Sequence, residues 1–185
     1  MPAASPHVLV NAVFDAIQEC GAACVYTSPQ IQTHPREFVI NYLDGNFILW
    51  LYIWTITHGG DRMRATTEYR IQMTSVESPL KTNPSGFTAI MGYYPDLGIF
   101  VGFDFDRHQT FTTGSPSIQV SIKTIEEALQ DGLAFYRKSN DEIAVAIRQD
   151  QFLHYIPNLH HFHKYGKETK TLKLLTKALK KNDMS

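Results

Sequence analysis

The chain has 185 residues, 43% of them hydrophobic and 12% aromatic, with a formal net charge of −1. That is enough to bury a sizeable core in one domain without covalent staples, and the near-neutral balance excludes a surface that holds polyanions by bulk charge. Two cysteines, Cys20 and Cys24, make neither a secreted disulfide framework nor a closed thiolate zinc site; no metal or cofactor is expected, and a reduced, cytoplasmic setting fits them.

Val10, Val13, Phe14 and Ile17 recur at helical spacing, which predicts a helix over His7–Cys20 with Gly21 as its stop. The start, Met-Pro-Ala-Ala-Ser-Pro-His, has no basic stretch before its short apolar run, so no secretory leader is expected. Tyr26–Arg36, with two prolines and many polar groups, reads as a loop or arm. Phe38–Leu43 and Phe47–Thr57 flank Asp44-Gly45, a strong hairpin signal. The apolar stretch Phe47–Ile56 is far shorter than a membrane span, and no membrane partner is expected. A loop over His58–Thr67 and a strand over Glu68–Val76 follow.

Ser78–Gly86 is a polar loop. A second hairpin joins Phe87–Tyr94 to Ile99–Asp104 through the turn Pro95-Asp96-Leu97-Gly98, and Ser117–Ile122 reads as a short strand. Thr124 and Glu127 have capping-box spacing for a helix over Ile125–Leu129, closed by Gly132. Glu142–Arg148 reads as a strand and Phe152–Tyr155 as another short one. From Glu168 onward Leu172, Leu175 and Leu179 line one side of a helix. Hairpins outweigh βαβ alternation. The predicted fold is mainly β (α+β): a seven-stranded mixed, mostly antiparallel open barrel or pseudobarrel with two short helices, plus a basic C-terminal helix. Residues 1–163 form the globular domain and 164–185 the helical tail.

The net charge hides a segregation. Lys164–Ser185 carries seven lysines (Lys164, Lys167, Lys170, Lys173, Lys177, Lys180, Lys181) against Glu168 and Asp183, a local charge of +5, which leaves −6 on the rest. Any site for nucleic acid in the body is therefore a local one. The best candidate is the glycine turn carrying His58, Gly59, Gly60, Arg62 and Arg64, which returns as a strand bearing Arg70 and Gln72. Glycine lets backbone approach a ligand, and Arg and Gln present the planar forks that read base edges and phosphates. Alternation places Tyr69 and Ile71 in the core, with Glu68, Arg70 and Gln72 on the opposite face.

Ser115, Ser117 and Gln119, with His108 upstream, are small polar donors suited to phosphates or base edges. Lys170, Lys173 and Lys177 form part of a lysine stripe able to track phosphates. Asp96, Asp104 and Asp106 with His108 suggest a Mg-dependent nuclease, but no acid-x-Lys triplet accompanies them. His154, His160, His161 and His163 form a histidine group that reads as a surface patch more readily than as a zinc site.

The runs Ile53–Gly60, Glu68–Gln72, Gly98–Asp104 and Ser115–Val120 resemble a domain of bacterial restriction-modification and phage-defence proteins, over about residues 36–156. The order of strands and helices also resembles the DNA-binding pseudobarrel shared by plant transcription factors and restriction-endonuclease specificity domains. That resemblance implies seven strands, two short helices and two arms that grip the major groove, the Arg62/Arg64–Gln72 tract as one and Ser115–Gln119 as the other. The expected function is a non-catalytic domain that recognises the sequence or modification of double-stranded DNA in a restriction-modification or phage-defence system. Its partner would be a nuclease, methyltransferase or helicase subunit. The alternatives are the small nuclease and an adaptor that docks a partner through its C-terminal helix.

Overall fold

The computed structural model describes residues 3–43, 45–58, 66–112 and 114–167. Helix α1 (Pro6–Glu19) starts where the Ser5 hydroxyl accepts from the Val8 amide at 3.4 Å, with Pro6 at the first position, where no amide donor is needed. Its buried stripe is Leu9, Val10, Val13, Ala16 and Ile17. Then come β1 (Ala23–Tyr26), β2 (Arg36–Tyr42), β3 (Gly45–Thr55), β4 (Glu68–Gln72), β5 (Phe87–Tyr94), β6 (Ile99–Phe103) and the short helix α2 (Phe105–His108). The remainder is β7 (Ser117–Ser121), α3 (Ile122–Asp131), β8 (Leu133–Arg137), β9 (Ile143–Ile147), a 3₁₀ turn over Gln149–Gln151 and α4 (Phe152–Tyr165).

Seven strands form one sheet in the order β1-β2-β3-β5-β6-β9-β8, and β4 pairs with β7 in a separate two-stranded ribbon. Within the large sheet β3 and β5 run parallel and every other pair is antiparallel. The mixed, mostly antiparallel seven-stranded sheet is as the sequence predicts. It stays open, with β1 and β8 as its edges, and does not close into a barrel.

Both faces of the sheet are buried. Phe38, Leu49, Leu51, Met91, Phe100 and Val145 face a core completed by α1 and α4. Tyr52, Trp54, Ile90, Val101, Phe103 and Ala146 face a second core, shared with Ile71 of β4, Ile118 and Val120 of β7, and Ile125 of α3. Alternate residues of one strand thus enter different cores, which is why β6 and β9 read as continuous apolar runs. No helix among the described residues is long and apolar enough to cross a membrane.

Several local expectations are corrected. Four α-helices are described, not two short ones, and α1 and α4 each have 14 residues. Phe152–Tyr155 opens α4 and is not a strand. The cap of α3 is Ser121, whose hydroxyl accepts from the Lys123 amide, while Thr124 is buried inside the helix. Strand β4 ends at Gln72: Met73 still donates its amide to the Pro116 carbonyl, but Pro116 has no N–H to return a bond and the ladder stops there. The expected tail helix from Glu168 lies outside the described residues.

Candidate nucleic-acid interface

The ribbon pairs Glu68 with Ser121, Tyr69 with Val120, Arg70 with Gln119, Ile71 with Ile118 and Gln72 with Ser117. Directly opposed residues share a face. One face therefore holds Tyr69, Ile71, Ile118 and Val120 and packs on the second core. The other holds Glu68, Arg70, Gln72, Ser117, Gln119 and Ser121, all half-buried or exposed. Arg70 Nη1 donates to Ser117 Oγ at 2.9 Å, a diagonal bond across the ribbon that fixes the guanidinium along this face. The two tracts read from the sequence as separate arms are thus neighbours in one ribbon.

His58 enters from the side. Thr57 and Arg70 exchange two backbone hydrogen bonds of 2.9 Å, which bring the end of the β3 excursion alongside β4. The His58 ring then meets Tyr69 edge-on, with centroids 5.4 Å apart. Ser115 is exposed in the turn that leads into β7. Gly59, Gly60, Arg62, Arg64, Lys170, Lys173 and Lys177 lie outside the described residues.

His108 belongs to a different set of contacts. Its Nε2 lies 2.5 Å from the carboxylate of Glu142, whose other oxygen accepts from Lys138 Nζ at 3.1 Å. Burial alone would raise the Glu142 pKa, but the hydrogen bonds and charges of His108 and Lys138 outweigh it and hold it at about 2. Of the carboxylates of the nuclease alternative, Asp104 is engaged in local structure. Asp104 caps α2, accepting from the Asp106 amide at 3.1 Å, and faces Arg107 at 3.7 Å. Among the described residues no three His, Cys, Asp or Glu side chains cluster so as to hold a metal ion.

The histidine group is spread around α4. His154 and His160 are exposed, whereas His163 is buried, with Nδ1 at 2.7 Å from the Ile143 carbonyl and Nε2 at 2.6 Å from the Tyr155 hydroxyl. A carbonyl only accepts, so Nδ1 carries the proton and Tyr155 donates to Nε2. Burial lowers the pKa of this ring, which is held neutral.

Sequence reasoning missed the pair His34 and Arg36, read as part of a polar loop. Arg36 is 2% exposed, and His34 lines a cleft with Ser75 and Lys81, just beyond β4. The only signal in the sequence was an arginine opening an apolar strand.

The family model described as methylase-associated X1 matches residues 47–156, more than half of the chain. The match runs from β3 to the start of α4 and contains the whole ribbon. No curated protein and no solved structure matches the chain. On that match, the chain belongs to the methylase-associated X1 family.

Proposed function

We propose that the chain is a non-catalytic DNA-recognition module that serves a methyltransferase in a restriction-modification or phage-defence system. The methyltransferase context comes from the description of its family. The DNA reading rests on the polar face of the ribbon, where Arg70, Gln72, Ser117 and Gln119 stand together above an apolar face anchored in the core. Arginine and glutamine on one ribbon face are the forks that read guanine and adenine edges, and a two-stranded ribbon fits the width of the major groove. Arg62 and Arg64 on the adjoining loop and Lys170, Lys173 and Lys177 in the tail supply phosphate contacts in this reading.

A labelled duplex carrying the methyltransferase's target site, methylated or not, tests it. Anisotropy should report binding that falls steeply with salt and is weakened by Arg70→Ala combined with Gln72→Ala. Unchanged binding in that double variant would sink the reading.

A further inference from the structure

Two clefts meet at His34. One, of about 710 Å³, is lined by His34, Tyr52, Ser75, Glu77 and Lys81 among others; the second, of about 310 Å³, by His34, Arg36, Trp54, Thr55 and Ser75. Both volumes fall in the range of small-molecule sites. The His34 ring stands 4.5 Å from Trp54 and 5.8 Å from Tyr52, centroid to centroid, so an aromatic wall runs from one cleft into the other.

The polar groups at this junction have unmet demands of one kind. Arg36 donates to the carbonyls of Ile31 at 3.0 Å and Ile53 at 3.3 Å and to His34 Nε2 at 2.6 Å, with the Tyr26 phenol beside it. None of these partners is anionic. The adjacent carboxylate, Glu37, is taken by Thr27 and by the Trp50 indole, and among the described residues no carboxylate forms an ion pair with Arg36. A buried cation without a counter-charge is costly. His34 Nε2 lies between two donors, Arg36 Nη1 at 2.6 Å and the Ile53 amide at 3.3 Å, and one acceptor, the Ile53 carbonyl at 3.1 Å; with Nε2 accepting from the two donors, the proton of the neutral ring sits on Nδ1. That Nδ1 is buried and has no hydrogen-bond partner. The junction therefore holds an uncompensated positive charge and an unused N–H donor, and both call for an anion or a strong acceptor.

We propose that the two clefts form one site for a nucleotide unit, with its phosphate against Arg36 and His34 and its ring along the wall of His34, Tyr52 and Trp54. The demand for an anion stands on the junction alone. The choice of a nucleotide rests on the recognition reading above, since the segment Thr74–Lys81, which follows β4 after the buried Met73, lines both clefts. The unit is either a base turned out of a bound strand or a free mononucleotide.

The test uses the full chain, with Trp54→Phe as the control that assigns the signal between its two indoles, Trp50 and Trp54. Titration with dAMP should quench Trp54 fluorescence saturably, with inorganic phosphate about tenfold weaker for want of a stacking ring. Arg36→Gln should weaken dAMP about tenfold or more. Loss of a buried arginine also costs stability, so Glu77→Gln on the exposed rim is the second variant; removal of that carboxylate should tighten dAMP about twofold. A labelled duplex containing 2-aminopurine distinguishes the sources. A rise in its fluorescence on binding, lost in Arg36→Gln, assigns the site to a base turned out of the strand. Quenching by dAMP without that rise assigns it to a free mononucleotide. Absence of both signals overturns the proposal, as does equal affinity for phosphate and dAMP. Duplex anisotropy in the same titration separates the two readings: intact duplex binding with a silent cleft removes only the cleft, and dAMP quenching without duplex binding removes only DNA recognition.

Discussion

The phenol of Tyr155 occupies the space above Gly102 in which a side chain would stand. A Cβ built at 102 collides with the Tyr155 hydroxyl and ring. Gly102 lies in β6 and Tyr155 in α4, so this contact sets how closely the helix approaches the sheet. The ring cannot readily yield, because its hydroxyl is bonded to His163, itself tied to Ile143 of β9. Gly102→Ala should therefore destabilise the fold by about 1–3 kcal/mol, the usual cost of overpacking. A thermal melt indistinguishable from the parent would show that the helix moves freely.

Tyr155→Phe asks a different question of the same contact. It removes little volume but strips His163 Nε2 of its donor in a fully buried site. The expected loss is about 1–3 kcal/mol, the cost of an unsatisfied buried acceptor. Denaturant unfolding measures it, and a loss near zero would mean that water reaches the ring.

Acid should weaken the protein in two stages. Burial first, and then the charge of Arg36, lowers the His34 pKa from 6.5 to about 4; burial lowers that of His163 as well. Unfolded imidazoles take up protons that these folded rings refuse. The stabilising effect of neutral His34 is complete above pH 6.5 and declines as pH falls toward 4, and that of His163 changes in the same direction. For Glu142 the folded value of about 2 lies below the ordinary 4.5, so its contribution is complete above 4.5 and is lost as pH falls toward 2. Urea midpoints at about pH 7, 5 and 3 follow both stages. His34→Gln should flatten the upper stage and Glu142→Gln the lower one.

In the ribbon, Ser117 acts through Arg70. Ser117→Ala should leave the fold intact but free the guanidinium, and weaken duplex binding about two- to fivefold through lost preorganisation. Arg70→Ala should cost about 1–3 kcal/mol if the fork reads a base. Combining the two should add little to Arg70→Ala alone. Full additivity would show that Ser117 has a role of its own.

Much of this architecture is legible in the sequence because its signals are local. The apolar spacing of α1, the hairpin signal between β2 and β3, and the turn between β5 and β6 all announce themselves within a dozen residues. Strand β1 is short and lies at an edge, alternating between exposed and half-buried residues, so its pattern carries little apolar signal. Helix α4 contains Pro157, which normally marks a helix end, and its aromatic content suggests a strand. The polar face of β4 follows from alternation, whereas its pairing with β7 joins segments far apart in the chain and has no local signature. The same limit hid His34 and Arg36, whose missing counter-charge is visible only when the surroundings of both are known.

The parallel pairing of β3 with β5 has a consequence for how this protein can diversify. Two parallel neighbours require the chain to travel back along the sheet between them, and here that return leg carries β4 and the cleft-lining segment Thr74–Lys81. Its ends are anchored in strands locked by seven paired positions, Leu49–Phe87 through Thr55–Tyr93. The leg can thus lengthen, shorten or change its side chains while strand register holds. On the proposed reading, Arg70, Gln72 and the cleft rim Ser75–Lys81 can vary in this way, while Ser117 and Gln119 of β7 and the His34–Arg36 junction lie outside the leg.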